Sequence, residues 1–221
     1  MLKYVLFDID GTISDTSEGI LNGFMYALPR IGLPLPQDKN DLRPLIGPPL
    51  PQSLMAKYGI SEELAMEGLR QYRVYYGPIG TKECFPYPGI PALLADLRAA
   101  GLCIITATSK AEPFTRKALE HLGLSDAFDF LGCADMENTR REKEDVIAYV
   151  MSHFPDMSGE NTIMVGDRVY DMIGAHLNGL PVISCTYGFA QPGEWEEQNP
   201  EYTADSVAQL RDILFSLQRN V

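Results

Sequence analysis

The run Tyr4-Val5-Leu6-Phe7 carries no charge and is followed at once by Asp8, Asp10 and Asp15 around a Gly11-Thr12 turn. A run that is apolar on both alternating faces predicts a strand in the interior of a parallel sheet with helices on both sides. Carboxylates at the end of such a strand occupy the edge where open α/β sheets place their ligands. Three acids this close repel one another and are costly to keep ionised unless they share a cation. A polar turn leading into a helix cap is the plainer reading of the same residues, and the rest of the chain decides between them.

Further apolar runs predict strands at Leu102–Ala107, Phe128–Cys133, Thr162–Val165 and Pro181–Ser184. They alternate with helical patterns at about 90–100, 112–122, 144–153 and 206–218, the first closed by Gly101. Strands and helices alternating at these lengths give an α/β class with a parallel sheet covered on both faces. The stretch 16–84 differs. Ile20, Leu21, Phe24, Met25 and Leu28 recur at helical spacing, Pro29 should end that helix, and prolines crowd residues 34–51. Two more helices are predicted at Pro51–Tyr58 and Ser61–Tyr76. The expected organisation is therefore a core of residues 1–15 and 85–221 with an all-helical insertion of residues 16–84.

The net charge of −12 leaves no basic field for a phosphate backbone and argues against a nucleic-acid partner. No apolar run reaches the length of a membrane span, and the chain opens on a strand rather than a signal peptide, so a cytoplasmic address is expected. Cys84, Cys103, Cys133 and Cys185 form no C-x-x-C pair and read as free thiols in a reducing compartment. His121, His153 and His176 lie far apart in helical patterns and read as surface or boundary residues.

Three apolar strands end in polar clusters: Asp8/Asp10/Thr12, Thr108/Ser109 and Asp167/Asp171. A parallel sheet brings all three ends to one edge. Carboxylates gathered with hydroxyls fit a hard cation with oxygen ligands, and Mg²⁺ suits best because it combines few carboxylates with waters and substrate phosphate. The hydroxyls at 108–109 and their backbone amides can hold phosphate oxygens. The charge that phosphoryl transfer develops also needs a cationic side chain. Lys110, Arg140, Arg141 and Lys143 are the candidates, and cations at a helix amino terminus, as at 140–143, oppose the helix dipole.

These residues resemble the haloacid dehalogenase-like hydrolases, in particular the phosphatases of the phosphoglycolate-phosphatase type. Asp8-Ile9-Asp10-Gly11-Thr12-Ile13-Ser14-Asp15 is similar to their first motif, Thr108 with Ser109-Lys110 to the second, Lys143 to the third, and Gly166-Asp167 with Asp171 to the fourth. The resemblance implies a Rossmann-like core with an inserted α-helical cap. It also implies a Mg²⁺-dependent phosphatase of small phosphate monoesters (phosphoglycolate-like, nucleotide or sugar phosphate) working through an aspartyl phosphate. In that scheme Asp8 is the nucleophile and Asp10 the acid and base. Thr108 and Ser109 hold phosphate, and Lys143 neutralises it. Asp8, Asp10 (through its carbonyl), Asp167 and Asp171 serve the metal. Dehalogenases of the superfamily lack the second acid of motif one, so Asp10 argues against that activity.

A cap closing over the core is expected to choose the substrate. Its loop Leu45-Ile46-Gly47-Pro48-Pro49-Leu50 is the candidate for reaching the site, and Arg43 and Arg73 are candidates for an anionic substrate tail. Thr16–Glu18 and Thr81–Pro88 are the expected hinges. Trp195 is expected to pack on the core, with Tyr187 and Gly188 shaping the metal loop. The expected state is a monomer or homodimer acting on a small-molecule phosphate ester. The alternatives are a phosphomutase of the β-phosphoglucomutase type and a non-catalytic binding protein that keeps the fold.

Overall fold

The computed structural model describes residues 1–137, 139–195 and 197–219. The opening run forms β1 (Tyr4–Phe7), with every residue buried. It is flanked on both sides by parallel neighbours, β4 (Cys103–Ala111) and β6 (Thr162–Gly166). With β5 (Phe130–Ala134), β7 (Val182–Cys185) and β8 (Tyr202–Ala204) they make a six-stranded sheet ordered β5-β4-β1-β6-β7-β8. The chain builds outward through β4 and β5, then returns to the other side of β1, so the strand order reverses at β1/β6. That reversal is where open α/β sheets form a crevice at their carboxyl edge.

Alternation within β1 divides the core into two layers. Val5 and Phe7 face α4 (Ile90–Ala99) and α8 (Val207–Arg219) through Leu93, Leu97, Leu210 and Leu214. Tyr4 and Leu6 face α6 (Lys143–His153) and α7 (Val169–Leu177) through Val146, Val150, Met172 and Ala175. Helix α5 (Glu112–His121) links β4 to β5 and adds Leu119 to the first layer. A strand covered on both faces has no solvated side to carry polar residues, which is why its sequence lacks the usual alternation.

The predicted helices of the insertion are α1 (Ser17–Ala27), α2 (Leu50–Tyr58) and α3 (Glu62–Tyr76). Asp15 Oδ1 accepts the Ser17 amide at 2.9 Å, and Ser61 Oγ accepts that of Leu64 at 3.3 Å. Pro29 ends α1 by turning the chain into a 3₁₀ turn, Leu28–Ile31. Leu21, Phe24, Leu54, Ala65 and Tyr72 pack into a hydrophobic cluster separate from the two sheet layers. The chain leaves and re-enters the core through β2 (Ser14–Asp15) and β3 (Phe85–Pro86), which pair antiparallel.

Three features depart from the sequence expectation. β4 runs on to Ala111 rather than ending at Ala107, through an irregularity after Thr108. The edge strand β8 was not anticipated, because its exposed Tyr202 and Thr203 give no apolar run. The ribbon β2–β3 is only two residues per strand and has no periodicity to read. Cys84, Cys133 and Cys185 are buried free thiols as expected, while Cys103 is half-buried.

Candidate active site

Strand register places the acids. Phe7 is level with Thr106 and with Val165, so Asp8 stands beside the ends of β4 and β6, where Thr108 and Asp167 follow. Asp8, Asp167 and Asp171 offer carboxylate oxygens that lie within 4.8 Å of one another. Asp171, in the first turn of α7, accepts the amides of Asp167 at 3.1 Å and Arg168 at 3.0 Å through Oδ2. Asp167 is held by the Phe189 amide at 2.6 Å and by the Thr12 hydroxyl at 3.2 Å. Gly11 sits so close that a β-carbon there would stand 2.1 Å from Asp167 Oδ2, and its φ of +85° favours glycine as well. Gly188 abuts Asp167 in the same way, and Tyr187 donates to the Thr12 carbonyl at 3.1 Å. Trp195 is half-buried on the core and donates from Nε1 to the Asp167 carbonyl.

Lys143, the first residue of α6, reaches into this cluster. Its buried ammonium is 2.9 Å from Asp8 Oδ1 and 2.7 Å from Asp171 Oδ1, and it donates to the Ala107 carbonyl at 2.8 Å. Burial alone lowers a lysine pKa, yet Asp171 and Asp8 outweigh it and hold Lys143 above its ordinary value. Burial raises the Asp167 carboxyl, and the charges of Asp171 and Asp8 raise it further. Burial also pushes Asp171 up, against the pull of Lys143.

Asp10 stands apart from the triad and pairs with Lys110, Nζ to Oδ1 2.8 Å. Four carboxylates (Asp8, Asp10, Asp167 and Asp171) thus face two ammoniums, those of Lys110 and Lys143. The remaining negative charge, the carboxyls of Asp167 and Asp171 raised chiefly by burial, and the all-oxygen donor set fit a hard divalent cation at the cluster of Asp8, Asp167 and Asp171.

A cleft of about 140 Å³ opens over these groups. Its floor carries Asp8, Asp10, Thr108, Ser109 and Lys110, and its roof comes from the insertion through Ile46, Gly47, Pro48, Pro49, Tyr72 and Tyr76. The structure therefore brings the 45–50 loop and Gly47 to the cleft. Arg73 lines it too and donates to the Met136 carbonyl at 3.2 Å. Arg43 is not among the residues lining it: its guanidinium lies over the Phe189 ring, 5.6 Å from the centroid. Of the cationic candidates in 140–143, Arg141 lines the cleft and pairs with Glu142, while Arg140 bonds the Cys133 carbonyl.

Sequence reasoning missed Tyr76 and Arg168. Tyr76 was legible only as an apolar-face residue of α3, four positions after Tyr72. Arg168 reads as an exposed charge between two acids. In the fold it is buried, bonds Glu194 Oε1 at 2.7 Å and lies under Gly47, where a β-carbon would meet Nη1 at 2.6 Å.

Comparison with known proteins is consistent across sequence and structure. The family described as Haloacid dehalogenase-like hydrolase matches residues 5–185. A Pseudomonas aeruginosa protein named 5'-nucleotidase is 35% identical over 217 residues, 97% of this chain and 97% of its own. A Mycobacterium tuberculosis protein named Tyrosine-protein kinase PtkA is 37% identical over 215 residues, 96% of this chain and 72% of its own. A crystal structure described as a predicted phosphatase from Clostridium acetobutylicum superposes with a TM-score of 0.93 at 37% identity, covering 98% of this chain and 99% of that one.

Proposed function

The chain belongs to the haloacid dehalogenase-like hydrolases and is a phosphoric monoester hydrolase, and from that premise we propose that it is a Mg²⁺-dependent phosphatase of small-molecule phosphate monoesters, with Asp8 as nucleophile. The observation that carries this reading is the buried cluster of Asp8, Asp167 and Asp171 around Lys143, at the carboxyl edge of the sheet and under a cleft of small-molecule size.

Asp8 attacks phosphorus through its free carboxylate oxygen and becomes an aspartyl phosphate, which divides one difficult displacement into two. Lys143 keeps Asp8 ionised and offsets charge on the phosphoryl oxygens. Thr108 and Ser109, on the cleft floor, hold those oxygens. Asp10 protonates the leaving alcohol and then takes a proton from the attacking water. A bound Mg²⁺ would neutralise the acids and polarise the phosphoryl group. Asp8, Asp167 and the Asp10 carbonyl would hold it, with Asp171 orienting the loop.

In this reading residues 16–84 work as a cap and residues 1–15 and 85–221 as the catalytic core. The paired linkers β2 and β3 serve as the hinge, since their antiparallel pairing joins both connections into one ribbon. The 45–50 loop and Arg73 meet the leaving group, and phosphoglycolate-like, nucleotide and sugar phosphates are the substrate classes to try. The chain works in the cytoplasm.

The test is hydrolysis of a broad panel of phosphate esters with and without Mg²⁺. Mg²⁺-dependent phosphate release is expected, and its absence across the panel would overturn the reading. The kinase name of one relative favours a second reading, transfer to an acceptor other than water. Labelled ATP with a peptide acceptor distinguishes it, because hydrolysis alone leaves the acceptor unlabelled.

A further inference from the structure

The charge of Lys110 is not used in holding the triad, yet this side chain is among the least exposed charged groups in the protein. It lies where β4 loses register: Thr108 is opposite Cys133 and Ala111 opposite Ala134, which leaves Ser109 and Lys110 as extra residues. Such irregularities re-aim a side chain away from the regular pleat. The ammonium ends 5% exposed, 2.8 Å from Asp10 Oδ1, and donates to the hydroxyl of Tyr76. Tyr76 belongs to α3 in the helical insertion. Its ring is stacked on Tyr72 (centroids 5.0 Å apart, planes at 17°) and lies edge-on to Phe114 at 5.7 Å. A β-carbon on Gly80 would stand 2.6 Å from that ring, so a third side is filled as well. Tyr72 and Gly80 belong to the insertion and Phe114 to α5 of the core, so the hydroxyl is held at the seam where the insertion meets the core.

One buried ammonium is thus gripped from two sides, by Asp10 of the core and by Tyr76 of the insertion. A buried charge keeps a defined position only while its partners engage it. We propose that Lys110 is a positioning residue for Asp10, and that Tyr76 makes the positioning conditional on the insertion being seated over the cleft. The acid is aligned when the cleft is closed and loosens when it opens. This rests on the reading of Asp10 as acid and base. In the first step the bond from phosphorus to the leaving oxygen breaks as that to Asp8 forms, and the proton of Asp10 passes to the leaving oxygen. In the second, water oxygen bonds to phosphorus, the bond to Asp8 breaks, and the proton released by water returns to Asp10.

A misplaced acid harms substrates in proportion to their need for a proton. The experiment measures kcat/KM for aryl phosphates of increasing leaving-group basicity, from 4-nitrophenyl to phenyl phosphate, with Mg²⁺ present. It compares wild type, Lys110→Met and Tyr76→Phe, the last of which keeps the ring packing. The loss in Lys110→Met should grow by about tenfold across the series, since general acid catalysis is worth a hundredfold or more in full. Tyr76→Phe should show the same trend at about threefold, with KM nearly unchanged. Equal losses on every ester, in variants whose thermal unfolding stays cooperative, would overturn the positioning role while leaving the phosphatase reading intact. Wild type inactive on the whole series and on the wider ester panel would overturn both.

Discussion

Replacing Lys143 by Met tests whether the acid cluster is held together by that ammonium. The side chain is 3% exposed and contacts Asp8 at 2.9 Å, Asp171 at 2.7 Å and the Ala107 carbonyl at 2.8 Å. Met fills most of the same volume, so packing is nearly conserved and the change is one of charge. Removing one member of a buried ion pair costs about 3–5 kcal/mol, because the remaining charge stays desolvated. In a chain of this size each kcal/mol lowers the melting temperature by about 2–4 °C, so the fall should be about 6–20 °C in metal-free buffer. Proton uptake by one of the stranded carboxylates brings the result toward the lower end. The assay is calorimetric unfolding with EDTA, repeated with Mg²⁺, which should recover part of the loss by supplying positive charge. With Mg²⁺ present, phosphatase activity should still be lost. An unchanged melting temperature without metal would refute the argument, since it would mean that the cluster does not depend on Lys143 for its charge balance.

Asp8→Asn should cut kcat by about a thousandfold or more, while metal-free melting stays at or above that of wild type because the acid surplus shrinks; retention of wild-type turnover would remove Asp8 as the nucleophile. Mg²⁺ should raise the wild-type melting temperature by mass action, by about 2.7 kcal/mol of stability at a hundredfold excess over Kd; Asp167→Asn should abolish that rise, and no shift in wild type would contradict the metal reading. Gly47→Ala should cost about 1–3 kcal/mol of strain, since φ is +117° and the new methyl meets Arg168 Nη1 at 2.6 Å; differential scanning fluorimetry should show the drop, and steady-state kinetics should show KM rising with the displaced loop.

The strands around the site were legible because each is a mainly apolar run, and those at the site stop at a polar residue, as at Phe7/Asp8 and Gly166/Asp167. The helices of the insertion were legible from periodicity and from breakers such as Pro29. β8 and the β2–β3 ribbon were not, because their partners rather than their own side chains specify them. Arg43 and Arg73 show the same limit from the other side. Both look alike as exposed cations in the insertion, but only Arg73 lies on the helix face that closes over the cleft.

By itself the sequence determined which residue types end the strands, and hence that acids, hydroxyls and a lysine share one edge of a parallel sheet. That follows from local physics, since burial of both strand faces leaves polar groups only at the ends. The tertiary structure decided which cation meets which acid: Lys143 with Asp8 and Asp171, Lys110 with Asp10. It also set Tyr76 against Lys110 and Gly47 against Arg168 across the cleft. These pairings depend on register, on an irregular strand end and on how the insertion sits over the sheet. Such contacts join residues far apart in the chain, and no local pattern in either partner encodes the distance between them.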